Sequence, residues 1–307
     1  MSITREWKQH KGTLVDSVNG FDVIECKTCY FKHIIPIPTD KELENIYREE
    51  YYTIEKPLYF KRMEEDIDWW NLVYSDRFET FEKFLGPDRR TLLDVGSGPG
   101  YFLLQGKKRG WIVQGIEPSR HAAEYSRKLD LDIIEEFLTP ELSKGLRIYD
   151  VIHLSEMFEH VPNPIEMLQL LHNLLLPDGL ICIVVPNDYN PIQQTLRTVC
   201  DFEPWWVAPP HHINYFTHNS LVKLLERIGF EIILSESTFP IDLFLLFGDN
   251  YIGNDSVGRS CHKKRKNFEL NLNRAHFNDL KRKMYRSFAE AGIGREIVIF
   301  GRKLEIR

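Results

Sequence analysis

Leu92-Leu93-Asp94-Val95-Gly96-Ser97-Gly98-Pro99-Gly100-Tyr101-Phe102 joins an apolar run, an acid and three alternate glycines. Leu92 to Val95 reads as a short buried strand. The glycines let the backbone turn tightly and approach a ligand where a Cβ would clash. Tyr101 to Lys107 reads as the start of a helix whose free N–H groups point back at the turn. Strand, turn and helix N-terminus together predict a nucleotide-type pocket at the carboxyl end of a parallel strand. Dinucleotide folds want G-x-G-x-x-G facing a pyrophosphate. Here the spacing is G-x-G-x-G, and Asp94 stands two residues before the first glycine. A carboxylate there repels a pyrophosphate and suits a cationic or amine-bearing ligand.

The downstream landmarks extend the pattern. Trp111 to Glu117 reads as a second strand ending in an acid, 21 residues after Gly96. That spacing suits a carboxylate accepting hydrogen bonds from ribose hydroxyls. Pro118-Ser119 opens a helix, Arg120 to Lys128. A third strand, Leu131 to Ile134, leads into Glu135-Glu136-Phe137. Tyr149 to Leu154 is a fourth strand, followed by Ser155-Glu156-Met157-Phe158-Glu159-His160-Val161-Pro162-Asn163-Pro164. Leu174 to Gly179 precedes a fifth, Leu180 to Val185.

In order and spacing these segments resemble the class I S-adenosylmethionine-dependent methyltransferases, in particular their UbiG-like branch. The resemblance covers Thr91 to Phe230. It implies an α/β, Rossmann-like fold: a seven-stranded, mostly parallel sheet with helices on both faces. It also implies that Asp94, Gly96, Ser97, Gly98, Gly100, Tyr101, Glu117, Pro118, Glu136, Phe137, Ser155 and Glu156 surround S-adenosylmethionine, with Glu136 and Phe137 at the adenine.

Composition bounds the rest. The chain has 307 residues, 43% hydrophobic and 27% charged, the balance of a globular protein. A net charge of −6 argues against a nucleic-acid partner, although His262 to Lys266 is a local basic run. No apolar stretch reaches membrane-spanning length. The five cysteines are too scattered for a disulfide framework, and the N-terminus lacks a signal-peptide core, so the expected compartment is the cytoplasm. The sequence leaves the oligomeric state open.

Four segments are expected. Residues 1–50 form an N-terminal extension, with a strand and turn over Phe21 to Tyr30 and a helix capped by Thr39 or Asp40. Residues 51–90 are helical and cover the cofactor. The core comprises 91–238 and 294–307, with a sixth strand Phe230 to Leu234 and a seventh Glu296 to Phe300. Between these, 239–293 is expected to be a lid or substrate-binding insertion, helical from Phe268 to Ala291.

Methyl transfer to oxygen or carbon needs an oriented acceptor and a place for its proton. His211-His212-Ile213-Asn214-Tyr215-Phe216 resembles a segment of sugar-nucleotide C-methyltransferases, which implies His212 as the base; His160 is a second catalytic candidate. The family's tyrosine three residues earlier is replaced by Pro209. Alternatively His212 only holds its loop. Glu156-x-x-Glu159-His160 resembles the magnesium-binding segment of small-RNA 2′-O-methyltransferases, with His212 as a fourth ligand. The same letters also occur in relatives that hold no metal. Cys26-x-x-Cys29 resembles the second half of a zinc module that begins many sugar and polyketide methyltransferases. The first half is missing, and His10 and His33 are the candidates to complete it. Trp69, Trp70, Trp205, Trp206 and Tyr215, with Asn187, Asp188 and Asn190, are expected on the acceptor side. The functional expectation is methylation of a small molecule such as a sugar, sugar nucleotide or other biosynthetic intermediate. A metal-assisted O-methyltransferase and a non-catalytic cofactor-binding subunit are the alternatives.

Overall fold

The computed structural model describes residues 3–304. Two sheets organise it. The first is an antiparallel meander of β1 (Thr4–Trp7), β2 (His10–Val18), β3 (Phe21–Cys26) and β4 (Lys32–Ile35). The second holds β5 (Thr91–Val95), β6 (Ile112–Ile116), β7 (Ile133–Ile134), β8 (Tyr149–Ser155) and β9 (Leu175–Pro186). A two-residue strand, β10 (Asn214–Tyr215), then leaves the core and pairs antiparallel with β4. Finally β11 (Phe230–Ser237) and β12 (Glu296–Lys303) complete the larger sheet. Its order is β11-β12-β9-β8-β5-β6-β7. Only β12 runs antiparallel to its neighbours.

This is the expected seven-stranded α/β sheet, and its alternating side chains show why it is covered twice. Leu93, Val95, Ile152, Leu154, Ile181, Ile183, Ile297 and Ile299 face one core, shared with helices Pro164–Leu174 and His218–Ile228. Leu92, Val151, Leu180, Cys182, Val184, Val298 and Phe300 face the other, with Phe78, Phe81 and Phe102 of helices Ile67–Phe84 and Tyr101–Lys108. Each such aliphatic side chain contributes about 1.5–3 kcal/mol on burial. The parallel strands all end on one edge of the sheet, where the loops meet.

Several boundaries differ from the sequence-based expectation. The third strand is only Ile133–Ile134, because Leu131 packs as a loop residue and Asp132 is exposed. The helical cover is broken into a wide π-type turn Ile46–Glu55, a helix Tyr59–Glu65 and the helix Ile67–Phe84. Thr39 caps the helix Asp40–Asn45 through a capping box with Glu42. The N-terminal extension is a four-stranded meander rather than one strand and a turn.

The insertion carries helices Asp255–Arg274 and Asn278–Glu290. They lean on the cover helix from outside. Trp69 Nε1 donates to Glu269 at 2.9 Å, and the fully buried Lys281 Nζ donates to Asp76 at 2.5 Å. Arg282 pairs with Glu236 of β11 at 2.7 Å.

Candidate active site

One cavity of about 1070 Å³ runs along the open edge of the sheet. Asp94, Gly96, Ser97, Gly98, Pro99, Tyr101, Glu117, Pro118, Glu136, Phe137, Ser155, Glu156 and His160 all line it. Among the expected cofactor residues, Gly100 does not. It caps the following helix at φ 78, and a Cβ there would stand 2.6 Å from Leu131 Cδ1 and 2.8 Å from Ser126 Oγ. Gly100 is a packing glycine, not a ligand-facing one. Gly98 faces the cavity at φ 53, with the Tyr52 hydroxyl of the cover 3.1 Å from where its Cβ would be.

Glu117 ends β6 and is 4% exposed. Its two oxygens accept from Gly98 N at 2.7 Å and Ser119 N at 2.9 Å. Burial pushes its carboxyl up to about 7, against these two N–H bonds, which favour the ionised form. The glutamate thus fixes the glycine turn and leaves remaining lone pairs for hydroxyl donors.

Asp94 is held from behind. Its Oδ1 accepts from His153 Nδ1 at 2.7 Å, and the two residues are register partners on β5 and β8. Arg77, from the cover helix, donates to His153 Nε2 at 3.1 Å and to Ser155 Oγ at 3.4 Å. Arginine only donates, so Nε2 accepts and Nδ1 carries the proton. His153 is therefore neutral, and burial lowers its pKa accordingly. Arg77 is 4% exposed, lines the cavity and forms no ion pair among the described residues. A buried guanidinium with unspent donors is a ready anion receptor. Neither residue stands out in the sequence. The available signals are an imidazole inside the apolar β8 and an arginine on the same helical face as Trp70, Tyr74 and Phe81.

Glu136, expected at the adenine, is half exposed and pairs with Arg48 at 2.8 Å, whose guanidinium sits 5.2 Å from the Phe137 ring centroid. Tyr101 hydrogen-bonds the Tyr125 hydroxyl at 2.6 Å.

His160 in the cavity wall belongs to a second cluster, whose Glu159 and His212 do not line the cavity. Glu159, His160 and His212 bring one ligand atom each within 4.8 Å of one another. His160 Nδ1 donates to the His211 carbonyl at 2.7 Å, which leaves Nε2 as a lone pair 3.7 Å from Glu159 Oε1. Glu159 Oε2 and His212 Nδ1 are buried without partners. Burial raises the Glu159 carboxyl well above its usual range. It depresses His160 to about 4 and His212 to about 2. Glu156 departs from expectation. It lies outside the one-turn helix Phe158–His160 at φ 50, exposed, and not in this cluster. A non-glycine residue held there is strained, a feature that concentrates at functional sites.

The expected aromatic acceptor wall is mostly core. Trp206 and Tyr215 are buried with Tyr189, and Trp69 is tied to Glu269; only Trp70 of the five lines the cavity. Tyr47, Tyr51, Tyr52 and Tyr59 of the cover take that place. Asn187, Asp188 and Asn190 are buried, Asn190 as the cap of helix Pro191–Val199. No residue of 239–293 lines the cavity, and the insertion's buried polar contacts are to the cover helix. Cys26 and Cys29 are buried and meet His10 and His33.

The model of a methyltransferase domain family matches residues 69–235, more than half the chain. The chain belongs to this methyltransferase family. Among curated relatives, the methyltransferase is 34% identical over 106 residues to a ubiquinone biosynthesis O-methyltransferase from Histophilus somni, covering 31% of this chain and 44% of the relative. It is 30% identical over 128 residues to the enzyme of that name from Caulobacter vibrioides, covering 40% and 51%. The chain spans about half the length of the curated relatives it matches. A SAM-dependent methyltransferase from Archaeoglobus fulgidus superposes with a TM-score of 0.51 at 16% identity, covering 80% of this chain and 99% of that one. The plantazolicin methyltransferase BamL, solved with a triazolic desmethylPZN analog and SAH, superposes with a TM-score of 0.54 at 18% identity, covering 87% and 97%. These two likenesses establish the class I fold. No helix among the described residues is long and apolar enough to cross a membrane.

Proposed function

We propose that this chain transfers the methyl group of S-adenosylmethionine to an oxygen or carbon of a small-molecule acceptor. The carrying observation is that one cavity joins the Asp94–Gly98–Glu117 end to Glu156 and His160, beside His212. The residues fit the cofactor chemically. Glu117 offers carboxylate lone pairs to ribose hydroxyls, Arg77 offers donors to a carboxylate, and Asp94 offers negative charge to an ammonium. Bound there, the cofactor supplies an electrophilic methyl on a sulfonium.

The protein's share is then to orient the acceptor and take its proton. His212 stands beside His160 rather than in the cavity wall, and its Nδ1 is buried without a partner, so the proposed role needs the ring to turn toward the acceptor hydroxyl. Its depressed pKa makes an isolated imidazole a weak base, and Glu159, which burial holds toward its neutral form, would have to give up its own proton to support the imidazolium. The acceptor class proposed is a sugar, sugar nucleotide or similar biosynthetic intermediate, with a hydroxyl-rich or aromatic body against the cover tyrosines. A transfer assay with radiolabelled S-adenosylmethionine against sugar nucleotides and catechols tests it. His212→Ala should lower kcat about 100-fold or more with unchanged cofactor affinity; full activity in this variant rejects the role.

A second reading is favoured by the same cluster. Glu159, His160 and His212 form a three-donor set, and the His160 Nδ1–carbonyl bond has the form found behind metal-bound histidines. A divalent ion here would hold an acceptor oxygen and lower its pKa. Loss of activity with chelator, restored by magnesium, supports this version; indifference to chelator rejects it.

A further inference from the structure

The methyl-transfer site leaves one cluster of side chains unused. Cys26 closes β3, Cys29 follows in the turn, His10 opens β2 and His33 lies on β4. One donor atom from each of the four lies within 4.8 Å of all the others. His10 Nδ1 is 3.4 Å from Cys29 Sγ and 3.8 Å from Cys26 Sγ. Zinc–sulfur and zinc–nitrogen bonds of about 2.3 and about 2.0 Å at a tetrahedral angle would place such atoms about 3.5 Å apart.

His33 supplies an independent observation. It is 1% exposed, and its Nδ1–H donates to the Ile34 carbonyl at 2.9 Å. The other ring nitrogen, Nε2, is then a buried lone pair, and it has no hydrogen-bond partner. Leaving such a group unmatched in a dry interior is unfavourable, so its environment calls for a partner. An imidazole anchored through one nitrogen on a carbonyl, with the other bare among thiols, has the arrangement of a metal ligand. The Cys29 N–H also points at Cys26 Sγ at 3.5 Å, a contact that favours thiolate. A disulfide between the two cysteines would satisfy neither imidazole.

We propose that His10, Cys26, Cys29 and His33 bind one zinc ion in a closed, four-coordinate structural site. The donor set is two thiolates and two imidazoles, with no position left for water or substrate, so the ion holds structure and does no chemistry. What it holds is next to the acceptor cluster. His33 is the register partner of Asn214, and Ile34 N donates to Ile213 O at 2.9 Å. Ile213 and Asn214 follow His211 and His212 directly, and Ile213 N donates to Glu159 O at 3.0 Å. Zinc therefore fixes β4, and β4 fixes the segment that carries His212. This coupling rests on the acceptor-side reading of His212; the zinc site itself does not.

The test uses the full chain purified in reductant without chelator. Elemental analysis should give one zinc per chain. Replacement by cobalt(II) should give the intense visible bands and the thiolate charge-transfer band of a tetrahedral two-sulfur site. Cys26 and Cys29 should resist a thiol reagent that modifies the exposed Cys200 at once, and should become reactive when a chelator removes the zinc. Cys29→Ser and His33→Ala should lose most of the metal. Should either variant fold poorly, the zinc stoichiometry and the cobalt spectrum of the unaltered chain decide the question. Substoichiometric zinc without a charge-transfer band, or Cys26 and Cys29 reacting as fast as Cys200, overturns the site. On zinc removal, hydrogen exchange at Ile213 to Tyr215 should accelerate at least tenfold while Gly96 to Gly98 stays unchanged. Equal change in both, or none, overturns the coupling; the metal content and the cobalt spectrum test the zinc site independently of it.

Discussion

Glu117→Gln tests the residue on which the proposed cofactor recognition turns. The carboxylate accepts from Gly98 N and Ser119 N and keeps lone pairs for the ribose. Glutamine retains one acceptor oxygen and turns an NH2 toward one of the two backbone donors. Losing a hydrogen bond to a charged group costs about 1.5–3 kcal/mol, so affinity for S-adenosylhomocysteine should fall roughly 10- to 150-fold. The pH dependence is sharper. Without ligand, burial holds the carboxyl at about 7 rather than its usual 4.5. Ribose hydroxyls donate to the ionised form, so binding must expel the proton whenever pH lies below 7. Affinity should then weaken by up to about tenfold per pH unit between pH 7 and 5. Stability of the unliganded protein moves the other way. A carboxyl with a raised pKa contributes stability that is complete below its unfolded pKa and is lost as pH rises through about 7. Calorimetric titration in buffers of different ionisation enthalpy would detect the released proton. Equal affinity at pH 5.5 and 8, or a pH slope that persists in Glu117→Gln, excludes this role for the carboxylate.

Three other perturbations separate roles that lie close together. Arg77→Met should weaken S-adenosylhomocysteine binding roughly 10- to 100-fold but leave 5′-methylthioadenosine, which has no carboxylate, nearly unaffected; equal losses for both ligands would mean Arg77 only supports the fold. Lys281→Met removes the fully buried partner of Asp76, one residue from Arg77, and should lower stability by about 3–5 kcal/mol in denaturant titration; a change under about 1 kcal/mol would show that the insertion does not brace the cover. Gly100→Ala places a Cβ 2.6 Å from Leu131 at φ 78 and should cost about 1–3 kcal/mol of stability while the folded fraction binds cofactor normally.

The core is legible in the sequence because its signals are local. The run Leu92 to Val95, the glycines and Glu117 each report their own strand end, and the cavity gathers all but Gly100. Gly100 obeys the same spacing for a different reason, helix packing against Leu131 and Ser126, and spacing cannot tell the two apart. The N-terminal meander is hidden because β1 is nearly all exposed and β4 is completed by β10, about 180 residues away. The helix Asp255–Arg274 shows in the sequence only from Phe268, because its first three turns are charged and its one buried cysteine there leaves no apolar stripe. Arg77 and His153 escape notice because their importance is relational. Neither residue type says by itself that it stands behind Asp94. His10, by contrast, is suggested by its place where the module's missing half would stand and His33 by its residue type, and the fold brings both to the two cysteines.

Calorimetric titration of the unaltered chain with S-adenosylhomocysteine and, separately, with NAD bears most directly on the cofactor site. The site geometry predicts one S-adenosylhomocysteine per chain, binding that releases a proton below pH 7, and no competition from NAD. Preferential NAD binding, or no S-adenosylhomocysteine binding at any pH between 6 and 8, would show that the cavity is not a methyl-donor site.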